Sequence, residues 1–117
     1  MLQSGPFTIR KTQRFERWLR TLRDTSTRTQ VLARLGRLEH GHLGDSRTGG
    51  ASVWELRIHA GPGYRVYFAR IRTAVIFLLA GGDKSTQERD IVKAKALAAA
   101  IQKGEHDENS PSWHHAF

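Results

Sequence analysis

The sequence predicts a small α+β domain in which a short strand, a helical hairpin, a three-stranded antiparallel meander and a last helix follow one another. The first sign is the alternation of apolar and polar residues over Trp54–His59, which is typical of a half-buried strand. The second is the continuous apolar run Ala74–Ala80, which has the length of a buried strand. The third is the helical spacing of apolar residues on both sides of this region.

The N-terminal part is predicted to form a strand and a helical hairpin. Phe7–Lys11 is strand-like, and Thr12 is a candidate N-cap for a helix that ends near Arg23. That helix has one apolar stripe, formed by Phe15, Trp18, Leu19 and Leu22. Cap-forming residues at 24–27 separate it from a second helix, which runs to about Glu39. Its inward-facing residues are predicted to be Val31, Leu32, Leu35 and Leu38. The glycine-rich segment 40–52 is expected to be a loop.

The central part is predicted to form the meander, joined to the first strand. Gly61-Pro62-Gly63 ends the first of its strands, because glycine tolerates positive φ and proline fixes its own φ. The second strand is expected over 64–71, with Arg72-Thr73 as a tight connection to the third. One face should carry Arg57, His59 and Arg65, with Tyr67 as a further candidate. A row of cations on a sheet favours a phosphate-containing partner.

The last helix is predicted to start at Ser85. Ser85 and Glu88 have the spacing of a capping box, with Ser85 as N-cap. The buried stripe should contain Ile91, Ala94, Leu97 or Ala98, and Ile101. The preceding Gly-Gly-Asp-Lys-Ser only weakly suggests a phosphate-binding loop, because the full Gly-x-x-x-x-Gly-Lys-Ser/Thr pattern is absent. We expect this loop to place Lys84 beside the cationic row.

The charge of the chain indicates a polyanionic partner. Lys and Arg number 19 against 11 Asp and Glu, the net charge is +8, and the pI is near 10.8. Within residues 1–37 there are nine basic residues and only two acidic ones. Nucleic acid is therefore the favoured partner over a merely solvated basic surface, although a high-GC genome would also favour arginine.

Other classes of site and location are disfavoured by the residue types present. The chain has no cysteine, and His40 and His42 lie two apart without a third ligand at useful spacing, so neither a metal nor a cofactor is predicted. No apolar run approaches the roughly 20 residues that span a bilayer, and no signal-peptide hydrophobic region is seen. We expect a cytoplasmic protein without membrane contact. A single domain over 1–103 is expected, followed by a flexible tail over 104–117.

The order of these elements, together with three motifs, resembles the RelE/ParE superfamily of bacterial toxins. The motifs are Glu-Leu-Arg at 55–57, Gly-Tyr-Arg at 63–65 and Gly-Gly-Asp-Lys-Ser-Thr-Gln at 81–87, followed by Asp90-Ile and Ala94-Lys. The most similar branch is the HigB-like group, or addiction module killer proteins, and the resemblance covers about residues 5–102. It implies the RelE-like fold and a type II toxin, an mRNA endoribonuclease that acts on the ribosome, inhibits translation and is silenced by a helix-turn-helix antitoxin.

The resemblance also implies roles for individual residues. In RelE-like enzymes the working groups are mostly basic residues on the concave sheet, and the corresponding residues here are Arg57, Arg65 and Lys84. His59 lies where some relatives carry lysine, and its imidazole could serve as an acid or base. The tyrosine that some relatives place on the last helix has no counterpart. We assign catalytic roles to Arg65, Lys84 and His59, without metal, and RNA-binding roles to Arg57, Tyr64 and Tyr67.

Two alternative functions stay open at this point. ParE-like members share the fold but inhibit DNA gyrase by binding it, and a third class would be an inactive RNA-binding relative. At the level of single residues, Arg57 and Arg65 could simply pair with Glu55 or Asp83. Likewise, both tyrosines could be packing residues of the strand.

Overall fold

The structure is a computed structural model that describes residues 7–50, 52–71 and 74–104. The predicted connection at Arg72-Thr73, and all but the first residue of the predicted tail, lie outside these ranges. The elements are, in chain order, β1 (Thr8–Lys11), α1 (Gln13–Thr21), α2 (Thr25–Glu39), β2 (Ser46–Gly50), β3 (Val53–Ile58), β4 (Tyr64–Ile71), β5 (Val75–Gly82), a 3₁₀ turn (Lys84–Thr86) and α3 (Gln87–Gln102).

All the strands belong to one five-stranded sheet with the order β1-β5-β4-β3-β2. The strand β1 runs parallel to β5, and the other neighbours are antiparallel. The predicted meander is therefore confirmed as β3, β4 and β5, and its attachment to the first strand is confirmed as the β1–β5 pairing. The α+β class is confirmed as well.

The strand β2 corrects the prediction of a loop over 40–52. Ser46, Arg47 and Thr48 pair with Leu56, Glu55 and Trp54 of β3, which makes β2 an edge strand. Its sequence, Ser-Arg-Thr-Gly-Gly, has few residues of high strand propensity and no apolar alternation. The backbone hydrogen bonds to β3 stabilise this strand without a buried side-chain pattern, and periodicity therefore could not reveal it.

Each face of the sheet has its own hydrophobic core. The helices α1 and α2 cover one face, where Phe15, Val31 and Leu38 pack against sheet residues that include Leu56 and Phe68. The helix α3 covers part of the other face, where Ala94, Ala98 and Ile101 pack against residues that include Tyr67, Phe77 and Leu79. The alternation predicted for Trp54, Leu56 and Ile58 is confirmed, since all three belong to the first core.

Leu32 does not face inward, contrary to the prediction. Its side chain is 44% exposed, whereas Val31, Leu35 and Leu38 are buried. Successive helix residues are rotated by about 100°, so Leu32 lies beside the stripe that Thr27, Val31, Leu35 and Leu38 form. The α2 stripe is thus narrower than its apolar residues suggest.

Thr12 caps α1, as predicted, and also joins the helix to the sheet. Its hydroxyl oxygen accepts a hydrogen bond from the Phe15 amide at 3.2 Å. The same hydroxyl donates to the carbonyl oxygens of Leu78 at 2.9 Å and Leu79 at 3.1 Å. Because Thr12 is only 6% exposed, water cannot easily replace these contacts.

Removing this hydroxyl should destabilise the fold. We expect Thr12→Ala to lower the free energy of unfolding by about 1–3 kcal/mol, because a helix cap and a buried hydrogen bond to β5 are lost together. Thr12→Ser keeps the hydroxyl and should cost less. Urea denaturation of the three proteins measures the difference. Equal destabilisation by serine and alanine would instead assign the effect to the threonine methyl group.

The start of α3 differs from the predicted capping box at Ser85 and Glu88. Asp83 caps the 3₁₀ turn, and its carboxylate accepts from the Ser85 amide at 2.8 Å and the Ser85 hydroxyl at 2.5 Å. These hydrogen bonds lower the pKa of the Asp83 carboxyl. The Thr86 hydroxyl completes the box by accepting from the Asp83 amide at 3.3 Å. The N-cap of the box is thus Asp83, two residues before the predicted Ser85. The box caps the 3₁₀ turn, and α3 begins after it at Gln87.

The buried stripe of α3 largely follows the prediction. Ala94, Ala98 and Ile101 are buried, and Ile91 and Leu97 are partly buried against the same core. Asp90 is an unexpected member of the buried set, at 4% exposure. Among the described residues, no helix combines the length and apolar character that crossing a membrane requires.

Candidate functional site

Polar side chains gather on the α3 side of the sheet, where β3 and β4 face each other. Arg57 pairs directly with Arg65 in the antiparallel register, and Glu55 pairs with Tyr67. Because side chains alternate along a strand, these four residues share one face. Like charges directly opposite on a sheet are unfavourable, so the two arginines need anions nearby. Two carboxylates, Glu55 and Asp45, supply them.

Glu55 compensates Arg65, as one of the alternatives from the sequence proposed. Arg65 Nε donates to Glu55 Oε2 at 3.2 Å, and Arg65 Nη1 donates to the Gly63 carbonyl oxygen at 2.7 Å. The side chains are 11% and 1% exposed respectively, so this pair is shielded from water. Arg65 Nη2 makes no hydrogen bond within the described part of the chain. Nη2 is therefore the guanidinium nitrogen that the described residues leave unpaired.

Glu55 also accepts from α3 and from the edge strand. Gln87 Nε2 donates to Glu55 Oε1 at 2.8 Å, and Arg47 Nε lies 3.6 Å from Glu55 Oε2. Arg47 is 56% exposed, which makes its contact the weakest of the three. In the sequence, Glu55 and Gln87 belong to two separate motifs, and Glu55 was also a candidate ion-pair partner. Nothing in the sequence indicated that the two residues meet.

Asp45 compensates Arg57 and also holds His59. Asp45 Oδ1 lies 3.3 Å from Arg57 Nη2, and Asp45 Oδ2 is hydrogen-bonded to His59 Nε2. The expected partner of Arg57 was Glu55 or Asp83, and that alternative is wrong. Asp45 was missed because it lies in a segment interpreted as a loop. His59 is 77% exposed, so its imidazole is open to a ligand.

Arg34 fixes the segment that carries Asp45. Its Nη1 donates to the Arg57 carbonyl oxygen at 2.6 Å, and its Nη2 donates to the Leu43 carbonyl oxygen at 3.1 Å. Burial lowers the pKa of this guanidinium from its ordinary value. Arg34 is one of the nine basic residues within 1–37, whose charge favoured a polyanionic partner. The structure instead gives it a structural role behind Asp45.

The Asp45 contacts predict a pH-dependent stability. The hydrogen bond to His59 is the main effect and lowers the pKa of Asp45; burial opposes it, and the charge of Arg57 lowers the pKa further. A carboxyl whose pKa is lowered on folding stabilises the fold above its unfolded pKa of about 3.9, and this contribution is lost as the pH falls through the folded pKa. Asp45→Asn should therefore lower the melting temperature at pH 7. Below about pH 4 the difference in melting temperature between the variant and the wild type should decrease and then disappear. Melts over a pH series measure it, and a difference that persists at pH 2 would contradict the assignment.

Lys84 lies next to Arg65, at the turn that follows β5. A Cβ atom placed on Gly63 would be 3.3 Å from Arg65 Nη1 and 3.8 Å from Lys84 Cβ, so both residues border this glycine. Gly63 has φ +80°, which favours glycine at this close approach. The Lys84 side chain is exposed. Its expected location beside the cationic row is therefore confirmed.

The two tyrosines do not lie exposed beside Arg57 and Arg65. Tyr64 points to the other face of the sheet, where its ring packs edge-on against Trp18 with centroids 6.1 Å apart. Tyr67 is fully buried in the core beneath α3. Burial, followed by the charge of Glu55, raises the pKa of Tyr67, and its hydroxyl has no hydrogen-bond partner among the described residues. Both were selected for their strand position, which does not show whether a ring is covered.

The glycines at 81–82, which only weakly suggested a phosphate-binding loop, have a packing role in the structure. Gly81 and Gly82 are the last residues of β5, and a Cβ on either would collide with neighbouring side chains. At Gly81 the neighbour is the Trp18 ring, and at Gly82 it is Asp90. The glycines thus allow α1 and α3 to approach the end of β5. Within the described ranges, no three histidine or carboxylate side chains are grouped so as to hold a metal ion.

Two solved structures have a similar fold. The free form of a mutant of the Escherichia coli toxin RelE is 19% identical, with a TM-score of 0.65, over 79% of this chain and 97% of that one. The toxin-antitoxin complex RelBE of the same organism is 20% identical, with a TM-score of 0.56, over 66% and 95%. At this identity the likeness shows the fold, and the predicted RelE-like fold is confirmed.

Two comparisons of sequence are more specific. The model of the family described as phage derived protein Gp49-like matches residues 17–105. An uncharacterized protein of Haemophilus influenzae is 42% identical over 93 residues, which are 80% of this chain and 94% of that protein. Because the family model covers most of the chain and this relative is matched over nearly its whole length, the chain belongs to the Gp49-like family of phage-derived proteins.

Proposed function

We propose that this protein is the toxin of a type II toxin–antitoxin pair and that it cleaves messenger RNA on the ribosome. One observation carries the proposal: Arg57 and Arg65 face each other at one end of the sheet, Lys84 borders the same glycine as Arg65, and Arg65 Nη2 has no hydrogen-bond partner among the described residues. Three cations in such a site favour an RNA phosphate. The likeness to RelE, and to the complex of RelBE, supports the toxin class and an antitoxin partner.

In the proposed reaction a ribose 2′-oxygen attacks the adjacent phosphorus without a metal ion. The new O2′–P bond forms as the P–O5′ bond breaks, which gives a 2′,3′-cyclic phosphate and a free 5′-hydroxyl. Arg65 and Lys84 stabilise the negative charge of the phosphorane, because fixed cations in a water-poor site lower the barrier strongly. Arg57 holds a flanking phosphate and favours in-line geometry.

His59 is the proposed proton carrier. Its contact with Asp45 orients the ring. The imidazole accepts the 2′ proton or gives a proton to the leaving 5′ oxygen, and the ribosome contributes the other proton transfer. His59→Ala should slow cleavage as strongly as loss of Arg65 if the ring carries the proton, and less if it only binds RNA.

Primer extension on cellular messenger RNA after induction tests the function. Discrete cuts within translated codons are the expected result. Intact messages together with stalled DNA gyrase would instead support ParE-like inhibition, and intact messages with retained RNA binding would support an inactive relative. Cleavage by purified toxin on ribosomes should survive removal of free divalent ions under conditions that keep the ribosomes intact.

The antitoxin is expected from the neighbouring gene, as a small helix-turn-helix protein. It should cover part of the cationic surface, because a net charge of +8 on 117 residues otherwise binds RNA without specificity. Co-expression and gel filtration should yield a complex that salt weakens. Elution of the toxin alone at micromolar concentration would contradict this. The motifs at 55–57, 63–65 and 81–87 support the HigB-like branch, and an RNA target supports a cytoplasmic location.

Residues 104–117 are proposed to be dispensable for folding and toxicity. No apolar periodicity continues α3 into this segment, and its acids, Glu105, Asp107 and Glu108, oppose RNA binding. Truncation after Lys103 should leave both the cooperative melt and the growth inhibition unchanged. Loss of either property would show that the functional domain extends beyond residue 103.

A further inference from the structure

We propose that Glu55 and Gln87 are positioning residues that hold the Arg65 guanidinium in the orientation required for RNA cleavage, an inference that rests on the proposed function. Glu55 Oε2 accepts from Arg65 Nε at 3.2 Å, and Glu55 Oε1 accepts from Gln87 Nε2 at 2.8 Å. Gln87 is the first residue of α3. A single carboxylate thus joins β3, β4 and the beginning of α3.

These contacts fix the direction of the free edge of Arg65. The guanidinium is planar, so the positions of two of its nitrogens determine the position of the third. Glu55 holds Nε, and the Gly63 carbonyl oxygen holds Nη1 at 2.7 Å. The remaining nitrogen, Nη2, has no hydrogen-bond partner among the described residues. The position of Nη2 therefore depends on the position of Glu55.

Gln87 in turn fixes Glu55. A carboxylate that is 1% exposed needs hydrogen bonds to both oxygens, because water does not reach it. The Gln87 amide satisfies Oε1, which leaves Oε2 directed at Arg65. Arg47 is a weaker partner, at 3.6 Å and 56% exposure. The amide at the start of α3 is therefore the contact that prevents rotation of the carboxylate.

A role in RNA affinity does not explain Glu55. Its negative charge beside Arg65 and Arg47 opposes phosphate binding, so removing the charge should tighten RNA binding or leave it unchanged. If Glu55 positions Arg65, removing it should instead slow the chemical step. The guanidinium would then be misdirected and would no longer stabilise the charge that develops on the phosphorane. An effect on RNA affinity changes KM, whereas an effect on positioning changes kcat.

Ribosomes programmed with a defined message provide the assay for Glu55→Ala, Glu55→Gln and Gln87→Ala. We expect Glu55→Ala to lower kcat about ten- to a hundredfold, with KM unchanged or lower. Glu55→Gln should recover part of the rate, because its amide oxygen still accepts from Arg65. Gln87→Ala should lower kcat in the same direction. Gln102→Ala, an exposed residue at the other end of α3, is the matched control and should match the wild type.

A second measurement reports on the contact without activity. The Arg65 Nε–H proton should exchange slowly with water in the wild type and in Gln102→Ala. Its exchange should become at least about tenfold faster in Glu55→Ala, because the buried hydrogen bond is gone. Proton exchange measured by NMR, with Arg65→Lys used to assign the signal, gives the rates.

The possible failures are distinguishable. If the wild type cuts no RNA, or if Arg65→Ala cuts as fast as the wild type, the proposed function fails while the exchange measurement still reports on the contact. If cleavage requires Arg65 but Glu55→Ala keeps its kcat, or cleaves faster, the positioning role is overturned. Unchanged exchange of Arg65 Nε–H in Glu55→Ala also overturns it. If Glu55→Ala does not fold, Gln87→Ala is decisive: a kcat equal to that of the wild type in this variant overturns the positioning role.

Discussion

Replacing both Arg65 and Lys84 by alanine is expected to abolish toxicity while the protein still folds and still binds its antitoxin. Both residues border Gly63, and in the proposed mechanism their cations stabilise the phosphorane. Loss of one preorganised electrostatic group typically costs about 2.7–4 kcal/mol, or about 10²- to 10³-fold in rate. Either single variant should therefore be non-toxic, and the double variant should have no measurable cleavage.

The stability of Arg65→Ala needs separate measurement. Arg65 is the closest cation to Glu55, so its removal leaves a buried carboxylate oxygen with only the distant Arg47 as partner. This should destabilise the fold by about 1–3 kcal/mol. Arg65→Lys keeps a charge near Glu55 but loses the planar contacts. It should be more stable than Arg65→Ala and still deficient in cleavage.

Matched controls distinguish the site from the overall charge. Arg17→Ala and Lys103→Ala remove the same two charges at exposed positions on α1 and after α3. This double variant should remain toxic, with at most weaker nonspecific RNA binding. Growth inhibition and cleavage on ribosomes measure both proteins. Full cleavage by Arg65→Ala/Lys84→Ala would refute the mechanism, and equal loss in both double variants would show that only the net charge is important.

The parts of the fold that follow from sequence are those in which local pattern and burial agree. The strands β3 and β5 and the cap at Thr12 were predictable because an alternation, an apolar run and a cap signal each have one simple physical origin. The strand β2 was not, because hydrogen bonds to β3 stabilise it and its residues carry no apolar signal. Leu32 shows the related limit, since periodicity alone does not give the width of a buried stripe.

The site was predictable only where the position of a side chain follows from the strand that carries it and from the neighbouring strand of the same hairpin. The common face of Arg57 and Arg65 follows from alternation and from the register of one hairpin. The pairing of Asp45 with Arg57 depends on the segment before β2, which Arg34 of α2 holds by a hydrogen bond to the Leu43 carbonyl oxygen. The hydrogen bond between Glu55 and Gln87 joins residues 32 positions apart, so it depends on how α3 packs against the sheet. The burial of Tyr67 also depends on this packing, because α3 covers the ring.

The packing of α3 against β5 depends on Gly82, so we expect a substitution at this glycine to have a large effect on stability. A Cβ on Gly82 would lie 2.7 Å from Thr86 Oγ1 and 2.9 Å from Asp90 Cγ, and closer still to Asp90 Oδ2. Asp90 is 4% exposed, and its Oδ2 accepts from the Thr86 hydroxyl at 2.5 Å. The added methyl group must therefore displace a buried, hydrogen-bonded carboxylate at the start of α3.

We expect Gly82→Ala to lower the free energy of unfolding by about 2–4 kcal/mol, since overpacking and a disrupted buried hydrogen bond act together. The melting temperature should fall by at least about 8 °C. Gly36→Ala is the matched control, because no atom lies within 4 Å of a Cβ at that exposed α2 position. That change should stabilise the fold by about 0.8–1.0 kcal/mol through helix propensity.

A double variant separates the clash from a general intolerance of side chains at the end of β5. Asp90→Ala removes the group that a Cβ on Gly82 would meet, at the expense of the hydrogen bond to Thr86. Gly82→Ala/Asp90→Ala should therefore be more stable than the sum of the single effects predicts, by at least about 1 kcal/mol. Additive effects, or a Gly82→Ala protein that melts with the wild type, would contradict the close approach of α3 to β5. Because α3 also carries Gln87, Gly82→Ala should lower RNA cleavage even below its melting temperature, whereas Gly36→Ala should not.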